Sequence, residues 1–306
     1  MGTVEKKGKL PTQDMATANI FLTARDHDIL RSVERSPLTV RQLKALSVTF
    51  GTRFGSDRRL QDRLAQLTRA GLLRRFRYAA TEGSGPFYFM LSTESFRLLH
   101  GQDVPLPSPG LFREVGMGRQ NHCHRLADFV VRTIVAAHEA KVTIENMTRE
   151  NALRLSVGDE YLYPDGSFTL SLPGRPSFLF YVELDNSTEV LTSPTQRDSW
   201  LRKLRFYEAL QNSMPTRFRV LGLSTRSAKR IENIGVLAAS VATNPQRSLF
   251  YGAYLPDYLQ HATPLAAPLF TDHRGLHISM IPQMVITAET RTPSTAPALG
   301  DLANVC

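Results

Sequence analysis

The chain has 306 residues, 42% of them hydrophobic and 21% charged, with 19 Gly and 18 Pro, which is enough apolar sequence for two domain-sized cores and excludes a fibrous or wholly disordered protein. No stretch approaches the roughly 18 consecutive apolar residues of a membrane span. No signal-peptide core follows the N-terminus, and Lys6 stands where a myristoylation signal wants Ser or Thr. The two cysteines, Cys123 and Cys306, can assemble neither a disulfide framework nor a thiolate zinc site, so a reducing cytoplasmic location is expected. The net charge is +9, and it is uneven: residues 1–100 carry 17 basic and 9 acidic side chains, the remainder 20 and 19. Such a field attracts polyanions, of which nucleic acid is the usual one for a soluble chain.

Residues 1–19 are polar, lack periodicity and are expected to form a disordered basic arm. Helical sequence begins after Thr23, where Ile29, Leu30 and Val33 share a face and Asp26 stands at the third position of a capping box. Thr39 caps a second helix through Val40, Leu43 and Leu46, and Ser56-Asp57 caps a third over residues 58–70, ended by Gly71. Leu60, Leu64 and Leu67 form the core stripe of the third helix. Arg59, Asp62 and Gln66 then project from its other side, flanked by Arg58 and Arg63. The period changes at Leu72: Phe76 and Tyr78 share one strand face, Arg75 and Arg77 the other, and a Gly-Pro turn leads into a returning strand at residues 87–91.

Three helices and a hairpin in this order resemble the winged helix-turn-helix module. A helix of that module enters the major groove, where arginine pairs with guanine, and the wing reaches neighbouring phosphates. Arg58, Arg59, Arg63, Gln66, Arg75 and Arg77 are the DNA-binding candidates, with double-stranded DNA as partner. The alternative is a protein-binding winged helix whose arginines only solvate its surface. The Pro-rich run at residues 101–110 marks the boundary, so the expected organisation is a winged-helix domain at 20–100, a linker at 101–119, a second domain at 120–286 and a disordered tail at 287–306.

The second domain opens with a long helix from Asn121–His124 onward, bearing Leu126, Phe129, Val130, Ile134 and Ala137 on one face. Strands follow at residues 161–170 and 177–185, a helix through Trp200, Leu204 and Tyr207, a strand at 218–224 and a helix at 227–242. This alternation implies an α/β domain with a mixed central sheet. Asp165 follows Pro164 at a strand rim, and Glu183 and Asp185 lie two residues apart on one face of the next strand, where unpaired carboxylates would repel. Mg²⁺ or Mn²⁺ bound by Asp165, Glu183 and Asp185 would relieve that repulsion; a salt bridge to Lys203 or Arg205 is the structural alternative. Asp165 also suits a turn cap, Glu189 a helix cap, and His122 and His124 polar positions at a helix start. Trp200, Phe206 and Tyr207 fit a packing face.

Pro-Asp followed by Glu-x-Lys is the pattern of restriction-endonuclease-like, PD-(D/E)xK nucleases, and this segment resembles it except that Asp185 occupies the lysine position, leaving Lys203 on the next helix as the candidate lysine. More widely, Tyr163-Pro-Asp165, Val-Glu-Leu-Asp-Asn-Ser-Thr-Glu189, Lys203-Leu-Arg-Phe-Tyr207 and Phe218-Arg-Val-Leu221, after a winged helix, resemble the replication-relaxation family of plasmid and mobile-element proteins over roughly residues 20–250. The resemblance implies a DNA-handling protein acting with other plasmid replication or mobilisation proteins; a homodimer is a further expectation, and the lack of an apolar span argues against a membrane partner. Its second domain would be a metal-dependent nicking nuclease with Asp165, Glu183, Asp185 and Lys203 as catalytic candidates. The alternative is a non-catalytic regulator of replication or transcription. No phosphate-binding loop, nucleophile elbow or zinc helix is present in the sequence.

Overall fold

The computed structural model describes residues 20–80, 83–186, 190–193 and 199–282. The expected arm at 1–19, the expected tail at 287–306 and Glu189 lie outside the described residues. The first unit runs α1 (Ala24–Arg35), β1 (Leu38–Thr39), α2 (Val40–Leu46), α3 (Asp57–Arg69), β2 (Leu73–Arg77), β3 (Phe87–Leu91) and α4 (Thr93–His100). Each start follows from its cap. The Thr23 amide donates to Asp26 Oδ2 at 2.7 Å, the Thr39 amide to Gln42 Oε1 at 2.8 Å, and the Arg59 amide to Ser56 Oγ at 3.3 Å. At the end of α3, Gly71 adopts φ 74°, and the amides of Gly71 and Leu72 close onto the carbonyls of Thr68 and Leu67. This left-handed turn favours glycine and redirects the chain into β2. The three strands form an antiparallel sheet in the order β1-β3-β2, and one face of it meets Ile29, Leu30, Leu43, Leu60, Leu64 and Leu67 in a common core.

The helix expected from Asn121 begins four residues earlier, as α5 (Met117–Glu139), and it is apolar on two faces. Ala127 and Val131 join the core of the first unit together with Leu111 and Phe112, while Leu126, Phe129, Ala136 and Ala137 join the core beneath the large sheet. Gln42 on α2 donates to Asp128 Oδ1 at 2.8 Å and to the His124 carbonyl at 3.3 Å, so polar contacts reinforce this junction.

The second unit continues β4 (Thr143–Thr148), β5 (Leu155–Val157), β6 (Glu160–Leu162), β7 (Gly166–Ser171), β8 (Phe178–Asp185), α6 (Trp200–Ser213), β9 (Phe218–Ser224), α7 (Ala228–Val241), β10 (Phe250–Tyr254), α8 (Leu255–Gln260), β11 (Phe270–Asp272) and β12 (His277–Ile278). The seven-stranded sheet has the order β12-β11-β10-β9-β8-β7-β4, parallel through β8, β9 and β10 and antiparallel outside them. The protein is therefore mixed α/β, with a mixed sheet as the sequence implied. Helices α5 and α8 cover one face through Phe129, Phe168, Phe180, Leu223 and Tyr258; α6 and α7 cover the other through Tyr181, Trp200, Tyr207, Phe218 and Ile234.

The strand expected over 161–170 is two strands. β6 pairs only with β5 in a small hairpin whose Leu155 and Leu162 pack against the α6 core, and β7 alone enters the large sheet. Pro164 separates them: it has no N–H for a ladder and restricts Tyr163 before it. β10, β11 and β12 lack the length or alternation that would announce them in sequence.

Candidate functional site

Four of the exposed arginines of the first unit stand on α3 and β2. Arg58 and Arg59 stand exposed at the start of α3, and Arg58 makes only an exposed contact of 3.9 Å with Asp62. Arg75 and Arg77 leave β2 on the same face as Leu73, which joins the core shared with α3, and both lie over the Phe87 ring, at 4.5 and 4.2 Å from its centroid. Such cation–π contacts restrain both guanidinium groups. Gln66 is exposed beside them but accepts from Arg63 Nη1 at 2.7 Å.

Arg63 is differently employed from its neighbours. Its Nε and Nη2 donate to both carboxylate oxygens of Asp26 at 2.7 and 2.6 Å, and Nη2 also reaches the Phe21 carbonyl at 2.9 Å. Asp26 is fully buried. Burial pushes its carboxyl upward, but hydrogen bonds from Arg63 and Thr23 and the Arg63 charge outweigh this and hold it below the ordinary range. Arg63 is thus the tie between α3 and the start of α1. Sequence pattern placed it on the flank of the helix but could not reveal the buried acid 37 residues away.

In the second unit, Asp165, Glu183, Asp185 and Lys203 lie at the rim shared by β7, β8 and α6, where Glu183 pairs with Lys203 while Asp165 and Asp185 each have other partners. Lys203 Nζ lies 2.8 Å from Glu183 Oε2, and the Tyr207 hydroxyl donates to Glu183 Oε1 at 2.6 Å. Burial and the nearby Asp165 push Glu183 above the ordinary carboxylate range despite Lys203. Asp185 is gripped from α7 by Arg230, whose Nε and Nη2 lie at 2.8 and 3.1 Å. Of the two basic partners weighed for these acids, Lys203 meets Glu183, whereas Arg205 points to solvent. Trp200, Phe206 and Tyr207 are buried in the α6 core.

Asp165 turns toward α5. Its Oδ2 accepts from the Leu184 amide at 2.7 Å and its Oδ1 lies 3.0 Å from His122 Nε2, which also stands 3.2 Å from Glu150 Oε1. Burial opposes protonation of His122, but hydrogen bonds and charge from Asp165 and Glu150 raise its pKa to about 10. The same contacts hold Asp165 and Glu150 low against their own burial. Glu150 also receives Arg119 and, at 3.4 Å, the Cys123 thiol. Glu150 and this use of His122 were not legible in sequence, because the residues come from a helix, the end of a strand and a turn. His124, one turn position away, instead stacks on Tyr78 at 4.8 Å between ring centroids.

Glu183 is occupied by Lys203 and Tyr207 and Asp185 by Arg230, so the repulsion expected of two adjacent carboxylates is relieved by bases from two helices.

The replication-relaxation profile matches residues 30–218, more than half of the chain. The chain belongs to the replication-relaxation family. The matched segment begins within α1 and ends at the first residue of β9, so it includes α3, the β2–β3 hairpin, the His122 cluster and the Glu183–Lys203 pair. No curated protein and no solved structure matches the chain. Membership of the replication-relaxation family indicates a role in plasmid or mobile-element replication or relaxation. No helix among the described residues is long and apolar enough to cross a membrane.

Proposed function

We propose that this replication-relaxation protein binds double-stranded DNA through a winged-helix first unit, with α3 as the groove-reading helix and β2–β3 as the wing. The observation that carries the reading is the exposure of Arg58 and Arg59 at the start of α3 and of Arg75 and Arg77 on β2, whose face also carries Leu73 of the core shared with α3. Arg58 and Arg59 near the N-terminus of α3 suit base edges, and Arg75 and Arg77, stiffened by Phe87, suit phosphates. Gln66 belongs to the same surface, and Arg63 supports it by holding α3 to α1.

A second reading, DNA nicking by a restriction-endonuclease-like second unit, is favoured by one observation: Lys203 from α6 meets Glu183 and supplies the base that Asp185 replaces along β8. In that reading Lys203 stabilises charge developing on a scissile phosphate, Asp165 and Glu183 orient the attacking water, and Asp185, clamped by Arg230, fixes the rim. The rival is a non-catalytic regulator using the same DNA surface.

One experiment separates these. Supercoiled and linear plasmid are incubated with wild type, Arg59→Ala/Arg75→Ala and Glu183→Gln, across a salt series with Mg²⁺ and Mn²⁺. The arginine variant is expected to lose duplex affinity and to flatten the log affinity against log salt slope by about 0.9 per lost phosphate contact. Unchanged affinity and slope refute the DNA surface. Nicking that disappears in Glu183→Gln supports the catalytic reading, and retardation of intact plasmid by both proteins moves the regulator to first place.

A further inference from the structure

A cleft of about 430 Å³ opens between the first unit and the large sheet, bordered by the end of α1, the segment before α5, α5 itself, the end of β4 and the start of β7. Its volume is in the range of small-molecule sites. Two features of opposite charge preference meet in it. The first is carried by Glu150 and Asp165, which line the cleft and form with His122, behind them on α5, a trio whose side chains are 17%, 15% and 20% exposed and whose ligating atoms all lie within 4.8 Å of one another.

The spacing of this trio suits a metal. Bonds of about 2.1 Å from a cation to nitrogen and oxygen put neighbouring ligand atoms about 3.0 Å apart at right angles and about 3.4 Å apart in a tetrahedron. His122 Nε2 lies 3.0 Å from Asp165 Oδ1 and 3.2 Å from Glu150 Oε1. The remaining oxygens are already oriented, Asp165 Oδ2 by the Leu184 amide and Glu150 Oε2 by the Cys123 thiol, which is the outer support that metal ligands need. One imidazole with two carboxylates suits Mn²⁺, a hard transition-metal cation that accepts nitrogen beside oxygen, better than Ca²⁺, which takes oxygen ligands.

The second feature is cationic. Arg35, Arg113 and Arg149 line the same cleft; their side chains are in no hydrogen bond or close ion pair with another described residue, although Glu34 acts on Arg35 and Glu34 and Glu150 act on Arg149 through charge. Arginines around carboxylates ordinarily pair with them; here Glu34 is engaged by His100, and Glu150 by Arg119 and His122. Guanidinium groups in the same cleft as a candidate cation position are complementary to an anion that would also complete the coordination of the metal. A phosphate group meets both demands.

We propose that this cleft binds a divalent cation through His122, Glu150 and Asp165, together with a phosphate group held by Arg35 and Arg149. The choice of phosphate rests on the nucleic-acid reading above; the cation position rests on the trio itself and moves the metal from the Glu183–Asp185 face of the sheet to the α5 side.

The test is Mn²⁺ binding to the full chain without DNA, followed by electron paramagnetic resonance. Wild type is expected to take up one saturable Mn²⁺, with pulsed spectra showing nitrogen coupling from one imidazole. His122→Gln and Glu150→Gln, checked for retained thermal unfolding, are expected to weaken uptake at least tenfold, and His122→Gln to abolish the nitrogen signal. Glu183→Gln/Lys203→Met, which removes that ion pair as a unit, is expected to bind Mn²⁺ within about threefold of wild type. Inorganic phosphate is expected to tighten uptake in wild type and not in Arg35→Ala/Arg149→Ala. No saturable uptake, no nitrogen coupling in wild type, or loss only in the Glu183/Lys203 variant overturns the cation site, and absence of the phosphate effect in wild type overturns its anion half. None of these readouts depends on duplex binding by α3, so the site and the DNA surface fail independently.

Discussion

Replacing Arg63 by alanine is expected to destabilise the first unit, whatever its effect on DNA. The substitution removes two hydrogen bonds of 2.6 and 2.7 Å and the only basic side chain paired with Asp26 among the described residues, leaving a fully buried carboxylate. Breaking a buried pair from one side costs about 3–5 kcal/mol, because the remaining charge keeps its desolvation penalty. The Thr23 amide and hydroxyl, each 2.7 Å from Asp26 Oδ2, stay in place and favour the lower end, about 3 kcal/mol. At about 2–4 °C per kcal/mol for a body of 150–250 residues, the melting temperature falls by about 6–12 °C. The sign of the pH dependence is a second check. Asp26 is depressed in the folded state, so its stabilisation is complete above its unfolded pKa of about 3.9 and is lost as pH falls through the lower folded value. In the variant Asp26 lacks its cation and protonates more readily, so the difference from wild type is largest near neutral pH and shrinks in acid. Urea unfolding of wild type, Arg63→Ala and Arg63→Lys at neutral and acidic pH measures this, with Arg63→Lys intermediate because it keeps charge without the planar fork. A variant within about 0.5 kcal/mol of wild type at neutral pH, the scatter expected of an ordinary surface substitution, refutes the assignment of Arg63 as a tie.

Two other sites make comparably direct predictions. A methyl at Gly222 on β9 would stand 2.4 Å from Phe250 Cε2 and 3.3 Å from Trp200, so Gly222→Ala is expected to lower stability by about 1–3 kcal/mol through overpacking, read from the urea midpoint at constant slope. Arg230→Ala removes the bidentate cation from fully buried Asp185 and is expected to cost about 3–5 kcal/mol, while Arg230→Lys recovers part of it; equal stability of all three proteins by calorimetry would show that Asp185 does not depend on α7.

What sequence alone determined was local and periodic. The caps at Thr23, Thr39 and Ser56, the leucine stripe of α3 and the glycine stop at Gly71 act within a few residues, so pattern and chemistry coincide there. The strand Phe218–Ser224 and the helix capped by Ser227 were legible for the same reason. The pairing of Glu183 with Asp185 on one face followed from the two-residue period of a strand, and the shared environment of Lys203 was within reach of the motif.

Tertiary structure alone decided how charges are neutralised, because an ion pair depends on distance in space and leaves no mark on sequence spacing. Arg63 reads as a groove-facing arginine until Asp26 is folded beneath it, and Asp185 reads as half of a repelling pair until α7 brings Arg230 across. His122, Glu150 and Asp165 are separated in the chain by a helix, a strand and a hairpin, and only the packing of α5 against the rim of the sheet makes them neighbours. The same helix is apolar on two faces because it serves two cores, a demand that one amphipathic stripe in the sequence could not announce.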